Sequence, residues 1–214
     1  MQPTSRTAAE LLRARLLAKQ QVSPELVRST LNGVPKEDHD AWLDLLLDIQ
    51  EIPNDGVDLP RGCVPYLPCP VSALLGIVEQ AGVAATDVFV DVGSGIGRAL
   101  FFVHLLTGAE CVGIEAQSSL MTWATERAAR FHLVRTRFIQ ADAVDLVRTI
   151  TGGTVFFLYC PFNGELVERF LNGLEGVART REIRVCCVDM APLERPWLHN
   201  LGSTSPQFDL YRSR

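Results

Sequence analysis

The chain has 214 residues, 47% of them hydrophobic and 21% charged, with a formal net charge of −5, which fits one domain able to bury a core and leaves no apolar run long enough to span a membrane. Only two of its 20 basic residues are lysines, Lys19 and Lys36, so a P-loop or Schiff-base lysine is excluded from everything that follows. An acidic chain without a basic stripe is also a poor partner for nucleic acid, whose binding rests on phosphate neutralisation.

The first fifty residues read as helical. Thr7-Ala8-Ala9-Glu10 has capping-box spacing ahead of Leu11, Leu12, Leu16 and Leu17. Ser23-Pro24 puts a cap before a proline at the first helical position and opens a short helix to about Leu31. After the break at Asn32-Gly33-Val34-Pro35, a third helix begins with Glu37 and Asp38 and shows an apolar face of Trp42, Leu45, Leu46 and Ile49. Residues 51–70 hold five prolines, at 53, 60, 65, 68 and 70, which predicts an extended connector. The helical faces are too small to form a core alone, so residues 1–66 are expected to pack as a lid and connector on a domain spanning 67–214.

From residue 71 the pattern alternates. Helices are expected at 71–81, 97–107, 118–132, 143–150 and 165–177. Strands are expected at 88–92, 111–114, 135–140, 155–159 and 182–188, with 208–212 as a last edge strand. Short apolar strands between amphipathic helices specify an α/β fold with a doubly wound, mostly parallel sheet carrying an N-terminal helical extension. Six cysteines form no Cys-x-x-Cys pair and no Cys/His cluster of zinc spacing. They read as reduced, structural residues; with no signal-like N-terminus, the expected compartment is the cytoplasm and no metal is expected.

Asp91-Val92-Gly93-Ser94-Gly95-Ile96-Gly97 follows a strand and opens a helix. Glycines let such a turn tighten and let a ligand approach backbone amides. The dinucleotide fingerprint spaces its glycines Gly-x-Gly-x-x-Gly; here the spacing is Gly-x-Gly-x-Gly, and Asp91 would repel a pyrophosphate while suiting a ligand with an ammonium or sulfonium. The second strand ends at Glu115, a carboxylate able to accept from two ribose hydroxyls, followed by Ala116. The third ends at Gln140-Ala141-Asp142, where an acceptor and backbone amides can meet an adenine edge. Three acids on successive strand ends share the carboxyl edge of the sheet, where open α/β folds bind ligands.

In order and spacing these three segments resemble the first cofactor motifs of class I, Rossmann-like S-adenosylmethionine-dependent methyltransferases. With Pro65-Tyr66-Leu67-Pro68-Cys69-Pro70 ahead of the glycine turn, the resemblance is strongest to the branch containing Dot1-like and other seven-strand protein-lysine methyltransferases. It implies S-adenosylmethionine as cofactor, a methyl acceptor as partner, and Tyr66 and Pro68 at the cofactor's methionine end. Many N-methyltransferases of the class carry Asn or Asp followed by Pro-Pro-Tyr or Pro-Pro-Phe after the fourth strand. Here the segment is Tyr159-Cys160-Pro161-Phe162-Asn163, with Cys160 in place of the amide or acid. Asn163 could supply a displaced amide and Tyr159 a hydroxyl. Tyr66, Tyr159, Phe162 and Trp42 are the residues expected around the reacting carbon, with His39, His199 and Asp189 as candidate bases for a hydroxyl acceptor. The acceptor, protein or small molecule, is left open. So are two other readings: an NAD-type oxidoreductase, disfavoured by glycine spacing and by the lack of a Tyr-x-x-x-Lys lysine, and a non-catalytic binding module.

Overall fold

Along β4, Val155–Tyr159, the side chains of Val155 and Phe157 enter one core while Phe156 and Leu158 enter another. The same period-two division runs through the whole sheet and places it between two helical layers. The computed structural model describes residues 1–54, 59, 61–203, 205 and 207–214; Pro60 of the expected connector lies outside the described residues.

The other strands are β1 (Val88–Val92), β2 (Glu110–Glu115), β3 (Thr136–Gln140), β5 (Arg184–Val188), β6 (Leu198–Asn200) and β7 (Phe208–Ser213). They form one sheet in the order β3-β2-β1-β4-β5-β7-β6, with β1 to β5 parallel and β7 antiparallel to both its neighbours. Chain progression reverses between β1 and β4, and at such a switch point the connections leave to opposite faces and open a crevice at the carboxyl edge. Register places Asp91 beside Phe157 and Tyr159 beside Val188, so the ends of β1, β4 and β5 share that edge.

One face carries α4 (Val71–Gln80), α5 (Arg98–Thr107) and α6 (Ser118–Arg130); the other carries α7 (Ala143–Leu146) and α8 (Glu165–Ala178). The C-terminal strand forms as expected but is not an edge strand. Phe208 and Leu210 enter one core and Tyr211 the other, so β7 gains burial on both faces by inserting between β5 and β6 and leaves the short β6 at the rim.

Two N-terminal expectations change. The first helix, α1, runs Pro3–Leu17, so Thr7 lies inside it and bonds the Pro3 carbonyl instead of capping. Its first turn is satisfied from outside, where the Asp38 carboxylate accepts from the Gln2 amide at 2.8 Å and from the Ser5 hydroxyl at 3.3 Å. Ser23 does cap α2 (Pro24–Asn32), accepting from Leu26 N–H. A 3-10 turn at Lys36–Asp38 precedes α3 (His39–Leu46).

These helices pack on the α4 and α5 layer. α2 packs on α5, with Arg28 donating to the Leu106 carbonyl at 2.9 Å, and α3 packs on α1 and α4. Asp48 receives Arg13 from α1 and Arg127 and Arg130 from α6. Leu12, Leu16, Val27, Leu31 and Leu43 join the same core as Phe89, Leu100 and Phe157. Trp42, expected near the reacting carbon, is 0% exposed inside that core because α3 turns its apolar face to the helical layer. Residues of α1, α2 and α3 thus complete the core, while Cys63–Leu67 of the connector line the pocket described below. Trp42→Ala is therefore expected to cost about 3–5 kcal/mol of unfolding free energy, read by urea denaturation, and deletion of residues 1–50 to uncover the α5 face and give insoluble protein. A soluble, cooperatively unfolding truncation would show the layer to be dispensable.

Candidate active site

The glycine turn bends back on β2 before α5 begins. Gly93, Gly95 and Gly97 have φ of 75°, 53° and 77°, a region that side-chain-bearing residues enter at a cost. Both Gly93 and Ser94 N–H groups donate to the Ile114 carbonyl, at 2.9 and 3.0 Å. Gly95 N–H donates to Glu115 Oε2 and Gln117 N–H to Glu115 Oε1, each at 2.8 Å. Both carboxylate oxygens thus accept backbone N–H groups from the residues that flank them.

A pocket opens above this turn. Of the expected site residues it is lined by Tyr66, Asp91, Gly93, Ser94, Glu115, Ala116, Ala141, Asp142, Tyr159 and Phe162. Gly95 and Gly97 lie beneath the lining. Pro68 is exposed on the outer side of the connector, and Asn163 faces a neighbouring cleft. That cleft lies between the β4 and β5 ends, shares Cys160 and Phe162 as a wall with the pocket, and presents Glu168, Asp189, Glu194 and Arg195. No histidine lines the pocket among the described residues: His39 bonds the Val34 carbonyl and His199 is exposed on β6.

Asp91 is 3% exposed, and burial, followed by the nearby Glu115 charge, pushes its carboxyl up to about 8. The buried Ser94 hydroxyl has no partner among the described residues. Asp142 accepts from Val144 N–H at 2.8 Å and so caps α7 while also lining the pocket. Burial, then the Asp189 charge, holds the Tyr159 phenol above its ordinary value, and burial raises Tyr66 further, so both are neutral donors at physiological pH.

The connector sits directly on this turn. Cys63 and Phe162 form an antiparallel bridge, with Val64 N–H donating to the Pro161 carbonyl at 3.1 Å. A Cβ built at Gly95 would run into the Tyr66 ring, and one at Gly93 would come within 2.8 Å of Pro161 Cβ. A side chain at 95 therefore collides with protein first, not with ligand as the open turn implies.

Sequence reasoning passed over Arg98, which follows Gly97 and is 3% exposed in the pocket wall. A cation in the first turn of a helix opposes the helix dipole, and this was the available signal that dedicated acidic partners exist. Those partners are Asp40 and Asp44 of α3.

Residues 69–148 match the family model of histone methylation protein DOT1. An RNA methyltransferase from Salinibacter ruber, solved with S-adenosyl-L-homocysteine, superposes with a TM-score of 0.53 at 25% identity, over 69% of this chain and 92% of that one. The fold recurs in yhhF from Escherichia coli, a candidate methyltransferase (TM-score 0.56, 18% identity, 76% and 91% covered). It recurs again in a candidate caffeoyl-CoA O-methyltransferase from Staphylococcus aureus (0.53, 11%, 71% and 86%). Among curated proteins none matches the chain. The chain is an S-adenosylmethionine-dependent methyltransferase with the class I fold.

The pocket of this methyltransferase fits its cofactor. Among the described residues Asp91 is buried without an ion pair and the Ser94 hydroxyl has no partner, and Glu115, Asp142 and small apolar residues line the same pocket. None of the helices among the described residues is long and apolar enough to cross a membrane. Gly95→Ala is expected to destabilise the free enzyme by about 1–3 kcal/mol through its positive φ, and further by displacing Tyr66. Removing the ring with Tyr66→Ala should recover that second part in thermal unfolding; equal losses in both backgrounds would mean that the ring does not rest on the turn.

Proposed function

We propose that the chain transfers the methyl group of S-adenosylmethionine to a nitrogen or oxygen nucleophile of a protein or small-molecule acceptor that enters through the cleft between the β4 and β5 ends. The observation that carries this reading is the convergence of Asp91, Glu115 and Asp142 on one pocket above the glycine turn. In it, Asp91 would hold the cofactor's ammonium, with Gly93 and Ser94 beside its carboxylate, while Glu115 accepts from the ribose hydroxyls. Ala116, Ala141 and Asp142 would border the adenine. Bound there, S-adenosylmethionine supplies an electrophilic methyl on a sulfonium whose departure leaves a neutral thioether.

The work left to the protein is to hold the nucleophile in line and exclude water. Tyr66, Tyr159 and Phe162 are the walls suited to that, with Cys160 shared between pocket and cleft and Asn163 on the acceptor side. Both phenols stay protonated, so neither serves as a base near neutral pH. A nitrogen that arrives as a free base needs no base here, whereas a hydroxyl acceptor would rely on Asp189 in the cleft for removal of its proton.

The cleft carries three carboxylates against one arginine, and Arg195 is already paired with Glu168. A phosphate backbone would be repelled there, which supports a protein or small-molecule acceptor over nucleic acid. All six cysteines are free thiols, four of them buried, which fits a reducing compartment, and we place the enzyme in the cytoplasm.

Isothermal titration with S-adenosylhomocysteine and with NAD tests the cofactor reading: the first should bind and the second should not. Glu115→Ala should weaken S-adenosylhomocysteine at least about tenfold by loss of hydrogen bonds to a charged acceptor, with Glu115→Gln intermediate. Unchanged affinity in a folded Glu115→Ala protein would remove the ribose role.

Asp91 adds a pH dependence. Its folded-state carboxyl titrates near pH 8 and its unfolded form near 4, so in the free protein stability falls as pH rises between those values. An ammonium beside it reverses the sense, because binding favours the ionised form. S-adenosylhomocysteine affinity should therefore rise from pH 6 to pH 8, with proton release at pH 7 visible as a buffer-dependent binding enthalpy. A flat profile would place the ammonium elsewhere.

A further inference from the structure

We propose that Arg98 is a positioning residue that holds Tyr66 against the glycine turn and thereby makes cofactor affinity depend on the seating of α3. The inference rests on the cofactor reading of the pocket and concerns residues outside its expected binding set.

The Arg98 guanidinium is committed on all sides. Nη1 donates to the Cys69 carbonyl at 2.7 Å, Nε to Asp44 at 2.6 Å, and Nη2 to Asp40 at 2.9 Å and to the Asp40 carbonyl at 3.3 Å. Asp40 Oδ1 also accepts from Val71 N–H at 3.1 Å, at the start of α4. One buried fork thus ties α3, the end of the connector and the start of α4 to the residue directly after Gly97. A planar, five-donor guanidinium can span these partners; a lysine cannot.

Tyr66 is held between two fixed points. On one side Val64 is bonded to Pro161; on the other, Cys69 is bonded to Arg98. Between them Pro65 and Pro68 restrict the backbone, so a shift at Cys69 is passed to Tyr66 with little slack. The Tyr66 ring in turn covers Gly95, whose amide is bound to Glu115. Loss of the α3 acids would leave the Arg98 charge buried and unpaired, and the fork would swing from Cys69 toward water. The acids themselves are 55% and 41% exposed and are not part of the pocket lining, so their route to the cofactor runs through Arg98.

The experiment uses the full chain. Asp44→Asn and Asp40→Asn/Asp44→Asn proteins are compared with wild type for S-adenosylhomocysteine affinity by calorimetry and for amide exchange over residues 62–70 without ligand. The single variant keeps an acceptor at 44 and serves if the double variant does not fold. We expect affinity to fall about fivefold or more and exchange in 62–70 to accelerate selectively relative to β1 and β4. Asp44→Glu should restore both. In a Tyr66→Ala background, Asp44→Asn should cost much less affinity, because the ring through which Arg98 acts is gone. Additive losses across that cycle, or unchanged exchange at 62–70, would overturn the proposal. Exchange is read on the free protein, so accelerated 62–70 exchange in the variants alongside a wild type that fails to bind S-adenosylhomocysteine would count against the cofactor reading and leave the coupling of Arg98 to the connector standing.

Discussion

Glu115 accepts the Gly95 amide with one carboxylate oxygen and the Gln117 amide with the other, and the rest of the carboxyl edge is arranged around this pair of bonds. A buried carboxylate is costly unless it is hydrogen-bonded, so once β2 ends in an acid the glycine turn must come back to meet it. Ile114 reinforces the contact by accepting from Gly93 and Ser94. The turn that would cradle a ligand is therefore a protein contact first.

That constraint explains the neighbours of the turn. With its amides committed to β2, the other side of the turn is bare backbone, and glycines leave room for Tyr66 and Pro161 to rest on it. The connector is drawn across the crevice and stitched to the segment after β4 by the Cys63–Phe162 bridge. Asp91 shares this enclosure with Glu115, and burial together with that neighbouring charge raises its proton affinity. With its carboxyl raised in the folded state, Asp91 makes the protein less stable as pH rises toward 8.

The helical layer contributes through a different physics. Its leucines complete a core that α4, α5 and α6 would otherwise leave open, and its acids satisfy Arg98 at the root of the glycine turn. Apolar burial and a buried ion network thus converge on α5, whose first residue stands at the pocket wall. A neighbouring cleft lies between the β4 and β5 ends, where three carboxylates outnumber one arginine. Cys160 and Phe162 line both the pocket and this cleft.

Periodicity and turn chemistry made the sheet domain legible from the chain alone. The apolar runs at 88–92 and 155–159 appear as strands with those bounds, and Gly93, Gly95 and Gly97 adopt the positive φ that only their identity permits at low cost. Asp91, Glu115 and Asp142 share one pocket because a parallel sheet places successive strand ends on one edge. Other features were decided by contacts distant in sequence. Thr7 lost its capping role because Asp38 satisfied the first turn from 33 residues beyond Ser5. Trp42 went to the core because α3 had a helical layer, not a ligand, to face. The C-terminal strand became internal because both its faces could be buried between β5 and β6. Local sequence sets which residues can form an element and which atoms can bind; which face finds a partner, and whether a turn meets ligand or its own chain, depends on the three-dimensional packing of segments that the sequence holds far apart.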